Sequence, residues 1–217
     1  MTMPSNELRE RVFAAAKETP SLTRSQLQTR IFAIVAIGAV ATTALFFAMG
    51  GFVRGTRPLE LVCFTAGFGL FSAIVLTRLA ADRGKSMLGR PRSWLITACV
   101  VAAPILAIVA FAAAHLWPEN ASEPVTEQVH IRCALATIVQ GALPLVVLLV
   151  PKRGSDPVHP VITGAALGMT AGAWTAMMAY LRCPHAAAGH CIIAHVVPTL
   201  VLTALGALLG RVLLRLR

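Results

Sequence analysis

The chain has 217 residues, of which 57% are hydrophobic and 13% charged, and its mean hydropathy is +0.74. This composition leaves little chain for a soluble domain and indicates a polytopic membrane protein. The formal net charge of +10 would suit nucleic acid, but in such a protein we interpret it as a signal for orientation, with anionic lipid as the counter-charge. We therefore expect a lipid bilayer as partner and no direct contact with nucleic acid.

Residues 1–30 are largely polar and contain a short amphipathic pattern. Leu8, Val12 and Phe13 recur at helical spacing among charged residues. A short amphipathic helix of this kind either lies on the lipid surface or docks in the groove of a partner protein. The segment is too short to form a folded domain of its own. We expect a cytoplasmic head at 1–30, in front of a membrane domain at 31–217.

Six long apolar stretches follow the head, and none has Asp, Glu, Lys or Arg in its interior. A hydrocarbon core of roughly 30 Å needs about 20 apolar helical residues to cross it, with about 17 as the lower limit. We therefore predict an all-α fold with six transmembrane helices. The stretches are 31–53, 61–77, 93–117, 133–150, 161–181 and 191–210.

Positive charge is distributed unevenly among the connections between these stretches. The N-terminal segment, the second and fourth connections and the C-terminal tail hold 15 of the 19 Lys and Arg residues. Because Lys and Arg near short loops are retained on the cytoplasmic side, we predict that both termini are cytoplasmic. An even number of crossings agrees with six helices.

Glycine marks the packing faces of the last two stretches. Gly164, Gly168 and Gly172 repeat at four-residue spacing, as do Gly206 and Gly210. Such faces allow helix backbones to approach closely, and we interpret them mainly as packing surfaces within the chain. No Asp, Glu, Lys, Arg or His lies at mid-depth in any stretch, which argues against a secondary transporter or a proton relay.

Cysteine and histidine are concentrated at the predicted outer ends of the last three stretches. Neither a Cys-x-x-Cys motif nor a hydrolytic triad occurs there, so we predict no enzymatic activity and no cofactor. Three interpretations stay open from the residues alone: a disulfide, a soft-metal site, or side chains that only fill helix ends. The candidate metal ligands are Cys133, Cys183, His185, His190, Cys191 and His195.

The part of the chain from 164 to 210 carries a pattern of glycine, cysteine, proline and histidine. It runs from the glycine-rich fifth helix through Tyr180-Leu181-Arg182-Cys183-Pro184-His185 to His190, His195 and Pro198. This pattern resembles the C-terminal third of the NrsF family, which are six-helix inner-membrane anti-sigma factors named for negative regulation of sigma F. The layout of a short cytoplasmic head and six spans is similar over nearly the whole chain.

The resemblance has implications for partner, location and signal. It implies that the head, with Leu8, Val12 and Phe13 as anchors, holds a sigma factor of the extracytoplasmic-function (ECF) class at a bacterial inner membrane. It also implies that two outward-facing cysteines, Cys133 and Cys183, sense oxidative or thiophilic-metal stress and trigger release of the sigma factor. The competing interpretation is a small metal or metabolite carrier that uses the outer cysteines and histidines as its entrance.

Overall fold

The computed structural model describes residues 24–52, 57–81, 92–153 and 159–214, together with the single residue 10. The predicted sigma-binding residues Leu8, Val12 and Phe13 lie outside these ranges. Within them all regular structure is helical, as the all-α prediction requires. The helices are α1 (Arg24–Ala48), α2 (Leu59–Ala81), α3 (Arg92–Leu116), α4 (Pro118–Ala121), α5 (Glu127–Leu149), α6 (Pro160–Arg182), α7 (Ala188–Cys191) and α8 (Val197–Leu213).

Each predicted apolar stretch coincides with a long helix or helical segment. A π-helical turn, Ile192–Val196, joins α7 to α8 into one continuous segment, and a 3₁₀ turn, Val150–Lys152, extends α5. In the described part of the chain, four segments are long and apolar enough to cross a bilayer, which marks the chain as a membrane protein. They are Gln28–Ala48, Glu127–Lys152, Pro160–Arg182 and Ala188–Leu213, while Leu59–Phe71 and Ala102–Leu116 are shorter apolar helices.

Helix α6 lies at the centre of the bundle. It packs against α2, α3, α5 and α8, and 72% of an 18-residue apolar stretch within it is buried, compared with 33% of the corresponding stretch in the α5 segment. Its many Gly and Ala residues explain this position, because small side chains let neighbouring helices approach. The outer faces of the surrounding helices expose large apolar side chains such as Phe32, Val139 and Leu208, as expected where lipid is the solvent.

The two glycine faces meet each other, and we call this contact the glycine seam (Gly164, Gly168, Gly172, Gly206 and Gly210). A Cβ atom added to Gly164 would overlap the backbone of Gly206 and Gly210, and one added to Gly168 would overlap the backbone at position 202. The predicted packing within the chain is therefore confirmed. Because backbone meets backbone, α6 and α8 are held as one rigid pair along this seam.

An apolar core lies at the other end of α6, between α2, α3 and the α7–α8 segment. Leu61 from α2, Val109 from α3 and Tyr180 from α6 are all buried there, together with Trp117 and Cys191. This core supports the end of the bundle at which the cysteines and histidines converge.

Candidate functional site

Helix α6 ends beside the starts of α5 and α7, and the sequence explains where it stops. Pro184 disfavours helical backbone at the residue before it, and Cys183 accordingly adopts an extended conformation with φ −72° and ψ 128°. The Cys183 N–H nevertheless donates to the carbonyl of Ala179 at 2.9 Å. Cys183 is thus the cap of α6, and its side chain is fixed at the helix end.

Three predicted ligands meet at this end, and we call them the Cys/His cluster (Cys133, Cys183 and His190). They contribute one ligand atom each, and these atoms all lie within 4.8 Å of one another. Sγ of Cys183 is 3.1 Å from Nε2 of His190. Cys183 and His190 are buried, whereas Cys133 is half-buried. Because the three residues come from α5, α6 and α7, the cluster joins three helices.

His130 provides a fourth group behind the cluster. Its Nδ1 lies 3.2 Å from Nδ1 of His190, and the two ring centroids are 4.8 Å apart. His130 precedes Cys133 by three residues, a spacing that places both side chains on the same face of α5. His190 therefore directs Nε2 toward Cys183, while its other nitrogen, Nδ1, contacts His130.

The remaining candidate ligands surround the cluster without joining it in the described part of the chain. Cys191 directs its Sγ toward the carbonyl of His185 at 4.0 Å and packs in the apolar core. The rings of His185 and His195 each lie 5.5 Å from the ring of His190, centroid to centroid. The predicted six-residue set thus divides into three residues that share a centre and three that flank it.

A proline determines where His195 sits. Pro198 has no N–H, so the carbonyl four residues earlier, on Ala194, loses its α-helical donor. Thr137 of α5 lies beside that carbonyl: its hydroxyl donates to the carbonyl of Cys133 at 2.8 Å, and its Oγ1 is also 3.1 Å from the Ala194 oxygen. The same hydroxyl is 3.4 Å from Nδ1 of His195. The π-helical turn is thereby tied to α5 one helical turn below Cys133.

Arg57 reaches the site from the segment before α2. Its Nη1 donates to the carbonyl of Tyr180 at 2.6 Å, and its Nη2 donates to the carbonyl of Cys183. The guanidinium lies 4.6 Å from the ring centroid of Tyr180 and 5.5 Å from that of Trp117, which are distances for cation–π contact. Arg57 therefore binds the terminal carbonyls of α6 and holds the backbone of Cys183.

The surroundings shift the acidity of two groups at this helix end. Burial lowers the pKa of Arg57, although an arginine stays protonated in proteins. Hydrogen bonding to the Cys133 side chain, followed by burial, raises the pKa of the Cys183 thiol. The guanidinium of Arg57 is thus a permanent positive charge beside the backbone of Cys183. The raised pKa of Cys183 favours the protonated thiol.

Two kinds of chemistry fit this geometry. Two thiols and an imidazole are ligands for soft metal ions, and two neighbouring thiols can also be oxidised to a disulfide. The third interpretation, in which the side chains only fill helix ends, does not require three ligand atoms from three helices to converge. The geometry therefore favours a chemical role for Cys133 and Cys183.

The sequence contained an unused signal for Arg57. Arg57 lies in the first connection, which the charge distribution places on the side depleted of Lys and Arg. An arginine on that side is unexpected unless it makes specific contacts. Arg57 makes two, with the carbonyls of Tyr180 and Cys183. His130 had a weaker signal, namely its three-residue spacing from Cys133.

Comparison with known proteins identifies the family. The family described as NrsF, negative regulator of sigma F, matches residues 15–216. No curated protein and no solved structure matches the chain.

Proposed function

We propose a function on the premise that this chain belongs to the NrsF family of negative regulators of sigma F. The protein is a membrane-bound, non-enzymatic anti-sigma factor that holds an ECF sigma factor at the bacterial inner membrane. The family match over nearly the whole chain is the observation that carries this proposal. The signal is read at Cys133 and Cys183, and the convergence of their sulfurs supports that role.

The proposed orientation follows from charge. Six helices cross the membrane with both termini in the cytoplasm, because the basic residues are concentrated in the terminal segments and in the second and fourth connections. The Cys/His cluster then faces the oxidising outer compartment, where thiol oxidation and thiophilic ions are encountered first.

The sigma factor binds the head at residues 1–30. Leu8, Val12 and Phe13 form the apolar face of the amphipathic pattern, and such a face fits a groove on a partner. The head precedes α1, and α1 is followed by the segment from which Arg57 reaches Cys183. Arg57 therefore places the connection between α1 and α2 in direct contact with the backbone of a sensor cysteine.

Co-purification of the full chain with an ECF sigma factor tests the proposal. Replacing Leu8, Val12 and Phe13 together with Asp should abolish co-purification while the protein stays in the membrane. Each apolar anchor contributes about 1.5–3 kcal/mol of burial, so affinity should fall by about three orders of magnitude or more.

A matched control adds negative charge to the head away from its apolar face. Arg11→Asp with Lys17→Asp changes the charge but leaves the three anchors, and most of the sigma factor should stay bound. Full retention of the sigma factor by the Leu8, Val12 and Phe13 variant would show that the head is not the binding surface.

A further inference from the structure

We propose that Cys133, Cys183 and His190 are the three protein ligands of a site for one thiophilic divalent cation, with His130 as the residue that positions His190. This inference deepens the sensor role and rests on the proposed function for its effect on the sigma factor. Binding of the ion itself depends only on the described residues and is measured without a sigma factor.

The spacing of the ligand atoms suits one ion. With a zinc–sulfur bond of about 2.3 Å and a zinc–nitrogen bond of about 2.1 Å, sulfur and nitrogen on one tetrahedral zinc ion lie roughly 3.6 Å apart and two sulfurs roughly 3.8 Å apart. The Cys183 Sγ to His190 Nε2 distance of 3.1 Å opens by about half an ångström to reach this geometry. All three atoms already lie within 4.8 Å of one another, so only small side-chain movements are required.

The histidine pair sets the tautomer that a metal needs. Nε2 of His190 faces Cys183, so that nitrogen must offer its lone pair to the ion. Nδ1 of His190 then carries the proton and donates it to Nδ1 of His130 at 3.2 Å. A ligating histidine that donates its other N–H to a fixed acceptor is the usual arrangement in metal sites. The structure provides this arrangement with both rings in place.

The donor set selects for soft ions. The three ligands offer two sulfurs and an imidazole without a carboxylate, whereas magnesium and calcium require oxygen ligands. On binding, both thiols lose their protons to solvent and two thiolates neutralise the two charges of the ion. A neutral centre is tolerated in a buried site far better than an isolated charge. Cadmium, mercury and zinc meet these conditions.

The role of His190 separates this site from a disulfide. A disulfide between Cys133 and Cys183 does not involve an imidazole, whereas a bound ion loses one of its three protein ligands when His190 is replaced. Dependence on both histidines is therefore the signature of the proposed site.

The test uses the purified full chain in detergent, reduced with a phosphine and titrated with Cd²⁺. Ultraviolet charge-transfer absorbance counts cadmium–thiolate bonds, and equilibrium dialysis gives affinity. The wild-type chain should bind one ion through two thiolates. His190→Gln and His130→Gln should each weaken binding about 10- to 100-fold, and Cys133→Ser or Cys183→Ser should weaken it more. Cys63→Ser and His115→Gln replace exposed residues outside the cluster and should leave affinity unchanged.

A second variant guards against misfolding. If His190→Gln does not remain monodisperse, His190→Cys is tested in its place. A third thiolate should restore Cd²⁺ binding and add a third contribution to the charge-transfer absorbance. Binding of Cd²⁺ to the wild-type chain with no loss in His190→Gln, or no binding to the wild-type chain at all, would overturn the site. Failure of His190→Cys to bind would do the same.

The assignments can fail separately. If the chain binds Cd²⁺ through His190 but retains no sigma factor, the metal site stands and the anti-sigma proposal is wrong. If it retains a sigma factor but binds no Cd²⁺, the metal site is wrong and the anti-sigma proposal stands.

Discussion

The two ends of α6 make different kinds of contact. Along its first half, Gly164, Gly168 and Gly172 pack against the backbone of α8 with no space for a side chain. At its other end, Tyr180 and Cys183 meet histidines, a thiol and the guanidinium of Arg57. The first contact has one stable arrangement, because it is dense and apolar. The second contains groups whose bonding changes with protonation, oxidation or a bound ion.

This difference indicates how a signal would move through the molecule. A change at Cys183 cannot slide α6 along α8 without breaking backbone contacts in the glycine seam. Arg57, by contrast, is held to the end of α6 by hydrogen bonds and ring contacts. We therefore expect the seam to act as a fixed support while the contacts of Arg57 respond.

Enlarging a glycine in the seam should have the largest effect on stability. Gly168→Leu forces a side chain into the backbone of α8, and overpacking typically costs about 1–3 kcal/mol, or more where backbone must move. Thermal unfolding of the detergent-solubilised chain measures the loss. Gly67→Leu is the matched control, because Gly67 is exposed and a Cβ there meets nothing within 4 Å. Equal stability of the two variants would contradict a rigid seam.

Removing Arg57 should have an intermediate effect that is confined to the cluster end. Arg57→Ala leaves the carbonyls of Tyr180 and Cys183 without their charged donor, and such hydrogen bonds contribute about 1.5–3 kcal/mol. Cys183 should also react faster with a maleimide, because its backbone is no longer held by the guanidinium. Arg57→Lys should restore only part of the stability, since an ammonium cannot bridge both carbonyls in the fork geometry of a guanidinium.

Arg153→Ala is the control for the cationic substitution. Arg153 is exposed, and its loss should change stability by less than about 0.5 kcal/mol. Unchanged alkylation of Cys183 in Arg57→Ala would show that Arg57 does not hold the helix end.

The smallest expected effect on stability comes from removing either of two buried hydroxyl groups near His195, those of Thr137 and Tyr180. The Thr137 hydroxyl lies within hydrogen-bond distance of the carbonyls of Cys133 and Ala194, so Thr137→Val should cost about 1 kcal/mol. The Tyr180 hydroxyl is buried without a hydrogen-bond partner among the described residues, so Tyr180→Phe should be neutral or stabilising. Parallel thermal unfolding of both variants checks this order, and a larger loss for Tyr180→Phe would reveal a partner for that hydroxyl.

The sequence was sufficient for features that depend on local pattern. Apolar length placed the helices, and four-residue glycine spacing predicted the seam, because both follow from helix geometry alone. The predicted fifth stretch, 161–181, also ended within one residue of Arg182, the last residue of α6.

Which candidate ligands form the site depends on the distances between helices, and a local sequence pattern does not determine those distances. Six candidate ligands had equal standing in the sequence, yet Cys133 and His190 meet Cys183 only because α5 and α7 pack at the end of α6. Arg57 lies more than 120 residues from its acceptor Cys183 in the chain. Such long-range pairs are fixed by tertiary packing rather than by spacing.

Release of the sigma factor by a thiophilic ion is the most direct measurement of the central proposal. The complex of the full chain with its sigma factor is immobilised and exposed to Cd²⁺, and the retained sigma factor is quantified. The wild-type chain and Cys63→Ser should release most of it, whereas Cys133→Ser and Cys183→Ser should retain it, with the double variant no different from either single one. Release from the Cys133→Ser and Cys183→Ser complexes at the wild-type Cd²⁺ concentration would contradict a sensor built on these two cysteines.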